Sequence, residues 1–409
     1  MKITNIILLL FISLLASAKE IKVCPTCTYK SITKAVKIAD SNDVIIVDGG
    51  LYKEAEIEIL KPLTLKGINT PIISGQNKGN ILLVKSDSVT ISGFTIQDVG
   101  HSYTSDFAAI KVHRSNYCSV SNNILKKVFF GIMFEKSKDF KIFNNHVSGE
   151  YKTQSAAGNG VHIWHCSRGE IKNNHVEDLR DGIYLEFVSH STIVNNHSHN
   201  NLRYGLHFMF SNHNSYTNNL FENNGAGVAV MFSKHIIMTK NIFKKNWGTA
   251  AYGLLLKEIY DAEINENLFE ENTIAINLEG CTRINYTNNN FKQNGWALKV
   301  AGACYANVFT KNNFLNNAFD VSYNSKMNDN SFEGNYWSSY TGYDLDKNGI
   351  GDIPYRPVKL FSYIVNRTPE TIILLRSLFV DIINFSEKVS PVFTPDDLVD
   401  KSPLMKKNK

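Results

Sequence analysis

The sequence is short of charge. Asp, Glu, Lys and Arg make up only 20% of its 409 residues, and the net charge is +5. With a pI near 8.6, the chain lacks the dense basic footprint of a nucleic-acid binder, so no nucleic-acid partner is expected. It is not short of apolar residues. A hydrophobic content of 43% excludes disorder for the bulk of the chain. Beyond the N-terminus there is no run of 18 uncharged apolar residues, so nothing there spans a membrane as a single helix.

The N-terminus reads as an address. Lys2 is followed by the apolar run Ile6–Leu15 and by Ala16-Ser17-Ala18. This is the pattern of a Sec-type signal peptide over residues 1–18. No cysteine follows closely enough for lipid attachment. Export implies an oxidising compartment, in which the six cysteines acquire meaning. Cys24 and Cys27 form a CxxC. No thioredoxin-like βαβ pattern surrounds it, so a small disulfide staple is favoured over a redox or metal pair.

From residue 123 one element recurs about every 22 residues: Asn, any residue, then an apolar residue. It runs through Asn123, Asn145, Asn174, Asn196, Asn219, Asn241, Asn267, Asn289, Asn312 and Asn330, and only Ser198 breaks the apolar third position. A second element interleaves with it: a small residue opening an alternating apolar strand, as in Gly131-Ile132-Met133-Phe134 and Gly227-Val228-Ala229-Val230. Period-two alternation marks strands with one buried face. Short strands with Asn and Gly at the corners predict an all-β fold, a right-handed parallel β-helix of about ten coils. Asn is expected to take the left-handed corner conformation and to stack in ladders. Residues 19–78 read as an N-terminal cap and first strands, with a cap helix over Ser31–Ala39. Residues 79–335 read as the β-helix, 336–357 as an aromatic plug (Tyr336, Trp337, Tyr340, Tyr343) with a loop, and 358–409 as a helical tail and extended arm.

The strands put alternate residues outside. The second positions give Met133, His162, Tyr184, His207, Ala229, Leu255, Asn277 and Lys299, and the fourth give Glu135, Trp164, Glu186, Met209, Met231, Lys257, Glu279 and Ala301. Met209 and Met231 should be neighbours, with His207 on the same face. Two thioethers and an imidazole suit copper(I), with His162, His165 and Glu186 nearby as further candidate ligands. The same stripe reads as a protein-docking surface through Tyr184, Trp164, Arg203, Met209 and Met231. His146, His175 and His197 occupy equivalent positions on three coils and form a second candidate cluster. Cys281 and Cys304 fall at nearly the same offset on adjacent coils, a candidate disulfide. Cys118 and Cys166 read as buried thiols.

Asp344, Asp346, Asn348 and Asp352, with Gly349 at the sixth position, match a calcium loop whose twelfth position is Tyr355 rather than Glu. A plain Asx-rich turn is the alternative. Thr371–Phe385 is apolar and predicts an amphipathic helix against a membrane, a partner or the open end of the coils. Glycan-cleaving chemistry on a solenoid needs paired carboxylates. Asp178, Asp181 and Glu186 are the only tight acidic group on the relevant coils, and Asp181 reads as a corner residue. No catalytic residue is therefore assigned, and a polysaccharide-binding or polysaccharide-modifying enzyme is the second reading.

Arg180-Asp181-Gly182-Ile183-Tyr184-Leu185-Glu186-Phe187 and Leu202-Arg203-Tyr204-Gly205-Leu206-His207-Phe208-Met209-Phe210 resemble the NosD family of periplasmic maturation proteins of nitrous oxide reductase. So do Gly225–Phe232, Tyr252–Glu258, Asn335-Tyr336-Trp337-Ser338 and Gly342–Pro357. The resemblance covers nearly the whole mature chain. It implies a non-enzymatic periplasmic scaffold, associated with the inner membrane through the permease and ATPase subunits of an ABC transporter. It also implies work with a copper chaperone and the reductase in building a copper–sulfur centre. The cysteines of the CxxC lie outside that family pattern.

Overall fold

The computed structural model describes residues 18–150, 153–248, 251–324, 329–389 and 398–408. Residues 1–17 of the expected signal peptide lie outside the described residues, as does part of the expected C-terminal arm. The chain is an all-β parallel solenoid. Three sheets of 14, 12 and 13 strands run its length, each strand pairing in parallel with its counterpart on the next coil.

The solenoid has about 13 turns, where about ten were expected. The extra turns lie at the N-terminus. Glu20–Val23 already pairs with Val44–Val47, so the segment read as a cap and opening strands belongs to the stack. Those coils escaped because their corners carry no Asn. Phe94 holds the position one coil before Asn123, and its N–H donates to Asn123 Oδ1 at 3.1 Å.

From Asn123 the ladder is continuous. Each Asn Nδ2 donates to the Oδ1 of the next, at 3.0 Å for Asn123–Asn145, Asn196–Asn219 and Asn289–Asn312. Each Oδ1 also accepts the backbone N–H of the Asn before it, as Asn219 accepts from Asn196 at 2.9 Å. These amides are buried, and their mutual satisfaction is what makes burial tolerable. Two expectations change here. The ladder ends at Asn335, which takes the Asn312 amide at 3.0 Å, whereas Asn330 belongs to a neighbouring ladder with Asn307. The left-handed residue is the one before the ladder Asn: Asn122, Asn144, Asn173, Asn195 and Asn218 have φ between 55° and 56°. The ladder Asn is kept for its amide, not for its backbone freedom.

Inside, one apolar residue per short strand fills the axis. Phe221, Phe243, Phe269, Phe291, Phe314 and Trp337 form one column, with Phe243–Phe269 centroids 4.5 Å apart and Phe314–Trp337 4.0 Å apart. Ser198 interrupts this column because space is short: a Cβ on Gly182 would lie 1.9 Å from Ser198 Oγ. That hydroxyl donates to Gly205 O at 2.7 Å and accepts from Asn201 Nδ2 at 3.0 Å.

Cys24 and Cys27 are joined by a disulfide. Cys281 and Cys304 are not. Both are free, buried thiols, and their register explains why. They hold a corner position that Ser115, Ser137, Ser211 and Ser233 hold elsewhere. There the side chain accepts the N–H of the coil before it: Ser211 N to Ser233 Oγ is 3.0 Å, and Cys281 N to Cys304 Sγ is 3.4 Å. Sulfur stands in for a hydroxyl instead of reaching for its partner. Cys166 does the same for Ser137 N at 3.3 Å. Burial pushes the Cys118 and Cys166 thiols up to about 11 and about 12.

Both ends are closed. The helix Ile32–Ile38 buries Ile32, Ala35 and Val36 over the first coil, and Ser31 Oγ accepts from Lys34 N. Glu54 accepts the Ile32 and Thr33 N–H groups at 2.9 and 2.8 Å, where a carboxylate suits a helix N-terminus. At the other end Trp337 is buried and Tyr343 is exposed. The returning arm brings Asp400, fully buried, under the last Asn. Asp400 Oδ2 accepts from Asn335 N, Asn335 Nδ2 and Trp337 Nε1 at 3.0, 3.1 and 3.0 Å. A carboxylate here takes the donors that a further Asn would have satisfied.

The expected single tail helix is two helices, Leu360–Arg367 and Leu378–Val389, joined by a 3-10 turn at Pro369–Leu374. The first lies against the long-strand sheet, where its Phe361 and Val365, with Val380 of the second, pack with Ile274, Trp296 and Phe319. The second leaves Leu378, Phe379, Ile382, Phe385 and Val389 exposed. No helix among the described residues is long and apolar enough to cross a membrane.

Candidate functional site

The long strands stack in the expected register. Met133, His162, Tyr184, His207, Ala229, Leu255, Asn277 and Lys299 form one column. Glu135, Trp164, Glu186, Met209, Met231, Lys257, Glu279 and Ala301 form the next. Met209 and Met231 are therefore direct neighbours, about 4.8 Å apart at the backbone. Both are half-buried, with a left-handed corner residue beside each. Those corners place Phe187, Phe210 and Phe232 in an exposed stack, with centroids 5.2 and 5.1 Å apart. His165 caps this stack on Phe187 at 4.5 Å. Thioethers and aromatic faces thus share one wall.

The first column is less open than strand alternation implies. Met133, His207, Ala229, Leu255 and Asn277 are buried, because large neighbours roof them. Phe130, His162, Tyr184 and His207 run ring to ring at 5.6, 4.8 and 4.9 Å. Tyr204 closes the side of His207 at 4.8 Å. Burial drives the His162 imidazole down to about 4, with Arg180 adding to the effect, so His162 is neutral at neutral pH.

His207 faces an acid rather than the thioethers. Its Nδ1 lies 3.5 Å from Asp181 Oδ2, and neither ring nitrogen makes a hydrogen bond. Asp181 is fully buried. Arg203 grips it in a bidentate pair, with Nε to Oδ1 at 2.7 Å and Nη2 on Oδ2. Burial raises the Asp181 carboxyl, but Arg203 and His207 outweigh it and hold the group below its ordinary range. Arg203, expected to face a partner, is committed to this pair and stacks on Tyr204 at 5.0 Å. Met209 Sδ is 3.9 Å from the Tyr184 hydroxyl. Trp164 lies under Lys136 Nζ at 5.1 Å. His162 and His207 are separated by a whole coil, with Tyr184 between them. Among the described residues, His162, His165, His207 and Glu186 do not form a converging group of nitrogen and carboxylate donors.

Two such groups occur elsewhere among the described residues: His175 with His197 and His199, and His146 with His175 and Glu177. They share one outer face of the sheet made from the strands His146–Ser148, His175–Glu177 and His197–His199. The columns His146/His175/His197 and Ser148/Glu177/His199 lie two residues apart, with the buried Val147, Val176 and Ser198 between them. The sequence displayed the first column. His199 and Glu177 were missed, and the signal was available: strand period two places His199 beside His197.

In the loop after the solenoid, the side chains turn onto the loop itself. Asp344 accepts from Asn348 N and Gly349 N at 3.1 and 2.9 Å, and Asp352 Oδ2 accepts from Leu345 N at 2.7 Å. Asp346 accepts the Asn348 side-chain amide at 2.9 Å. Tyr355, in the place of the expected twelfth-position Glu, is buried against Trp337.

Fold and faces together define a parallel β-helix carrying soft-donor and imidazole columns on its outer walls. Solved structures share that fold at low identity. The catalytic domain of a GH87 alpha-1,3-glucanase matches with a TM-score of 0.57 and 12% identity, over 78% of this chain and 69% of that one. The A-module of an Azotobacter vinelandii mannuronan C-5 epimerase matches at 0.52 and 14%, over 72% and 86%. At such identities the likeness is of fold alone. Sequence relatives are more specific. A family model described as periplasmic copper-binding protein (NosD) matches residues 144–342. A probable ABC transporter binding protein NosD of Stutzerimonas stutzeri is 26% identical over 92% of this chain and 90% of its own length. Its Pseudomonas aeruginosa counterpart is 25% identical over 85% and 84%. The chain is thus similar to NosD proteins along most of its length, with the family model matching its central coils.

Proposed function

We propose that the protein is a periplasmic accessory scaffold for nitrous oxide reductase maturation. It works with an ABC transporter and a copper chaperone in assembling the copper–sulfur centre and is not itself an enzyme. The observation that carries this reading is the in-register Met209–Met231 pair beside the exposed Phe187–Phe210–Phe232 stack. Thioethers favour copper(I), and a contiguous exposed aromatic face favours a protein partner. His207 is the buried imidazole on the same strand as Met209. The exposed apolar face of Leu378–Val389 supports contact with the permease or its membrane.

The glycan-enzyme reading draws on the fold likeness and on the acid beside His207. Asp181 argues against it: a carboxylate buried and gripped by Arg203 is an anchor, not a free general base. The test is to delete the protein from its host and purify the reductase. The expected product is an exported enzyme without its catalytic copper centre, restored by the wild-type chain. A fully metallated reductase in the deletion strain contradicts the proposal.

A further inference from the structure

The solenoid holds a second concentration of metal donors that the scaffold reading does not use. Four imidazoles and a carboxylate crowd one patch on the outer face of the short-strand sheet. His199 Nε2 and His175 Nε2 are 2.7 Å apart. His146 Nε2 is 2.7 Å from Glu177 Oε1, and His199 Nε2 is 3.5 Å from Glu177 Oε2. His197 Nε2 is buried and makes no hydrogen bond; its ion-pair contact with Glu222 Oε2 is long, at 3.9 Å. The donor atoms of His175, His197 and His199 all lie within 4.8 Å of one another. Nitrogens bound to one ion at about 2.0–2.1 Å lie roughly 3 Å apart, so His175 and His199, at 2.7 Å, need to open slightly and His197 to turn inward, changes that side-chain rotation supplies.

A ring nitrogen buried without a partner costs stability unless something satisfies it. Two Nε2 atoms in contact can share only one proton. A cation accepting all three lone pairs satisfies both conditions. We propose that His175, His197 and His199, with Glu177 completing the set and His146 holding that carboxylate, bind a late first-row divalent cation, copper(II) ahead of zinc(II).

The donor set decides the metal class. Imidazole nitrogens with one carboxylate oxygen and no sulfur suit divalent copper or zinc rather than copper(I), and copper(II) outranks zinc in intrinsic affinity. The site is chemically distinct from the Met209–Met231 wall. It is also better formed than the other histidine column, His190–His213–His235. Those rings stack nearly parallel at 5.0 and 4.5 Å, and they form no converging donor group among the described residues.

The test is a competition titration of the whole mature protein with copper(II) and separately with zinc(II), paired with electron paramagnetic resonance of the copper form. Wild type should bind one tight copper(II) with nitrogen hyperfine coupling, and zinc more weakly. His175→Ala with His199→Ala should lose at least about tenfold in copper(II) affinity, whereas His190→Ala with His213→Ala should not. Equal affinity in the first pair overturns the site, and zinc binding more tightly than copper overturns the choice of ion. Circular dichroism checks the fold. Should the double variant unfold, His199→Asn keeps the strand polar, and an unchanged nitrogen coupling pattern in it overturns the proposal equally. Met209→Ala with Met231→Ala leaves this copper(II) site intact, so its outcome is separable from that of the scaffold reading.

Discussion

The same coils carry two very different walls. On the long-strand sheet, Met209, Met231 and the stacked Phe corners present thioether and aromatic surface. On the short-strand sheet that carries the Phe column, His146, His175, His197 and His199 present nitrogen. Backbone repeat, Asn ladder and rung spacing are common to both. What differs is which residue each coil writes at one offset. A solenoid thus turns a sequence column into a surface column, and chemistry can be assigned to one wall without disturbing the other.

The largest expected effect removes the support that both walls share. Phe269 sits fully buried between Phe243 and Phe291. Phe269→Ala should destabilise the protein by roughly 3–5 kcal/mol, read from denaturant unfolding, and should weaken both walls together. A variant as stable as wild type would show that the coils do not depend on this column.

A smaller effect should be confined to the Met wall. Asp181→Ala leaves Arg203 without its buried partner and should cost about 3 kcal/mol. Because the folded Asp181 carboxyl is held below its ordinary range, its contribution is fully present above the unfolded value, about pH 4. It is lost as pH falls through the lower folded value. Wild type should therefore lose stability below about pH 4 more steeply than the variant. Parallel acid profiles would contradict the pair's role.

Smaller again is the end of the ladder. Asp400→Ala orphans the Asn335 and Trp337 donors and should cost about 1–3 kcal/mol. Hydrogen exchange should rise first in the last coils, far from both walls. Uniform acceleration along the rod would mean that the arm does not act as a cap.

Most of this fold was legible because stacking makes it repetitive. The Asn–x–apolar beat and the alternating strands fix rung, register and outward columns, and Met209 does lie beside Met231. Three things were illegible for physical reasons. The first coils use Gly50, Pro71 and Phe94 where later coils use Asn, so the beat is silent there. Burial of His207 depends on rings from Tyr184 and Tyr204 that alternation alone does not place. The pairing of Cys281 with Cys304 was inferred from equal offset. In this corner equal offset means a ladder in which sulfur accepts a backbone N–H.

The two proposed donor walls differ in metal preference. X-ray absorption on the copper(I)-loaded mature protein measures this directly. Sulfur scatterers should surround the copper, disappear in Met209→Ala with Met231→Ala, and persist in His175→Ala with His199→Ala. A first shell of nitrogen alone, or sulfur that survives loss of both methionines, would contradict it.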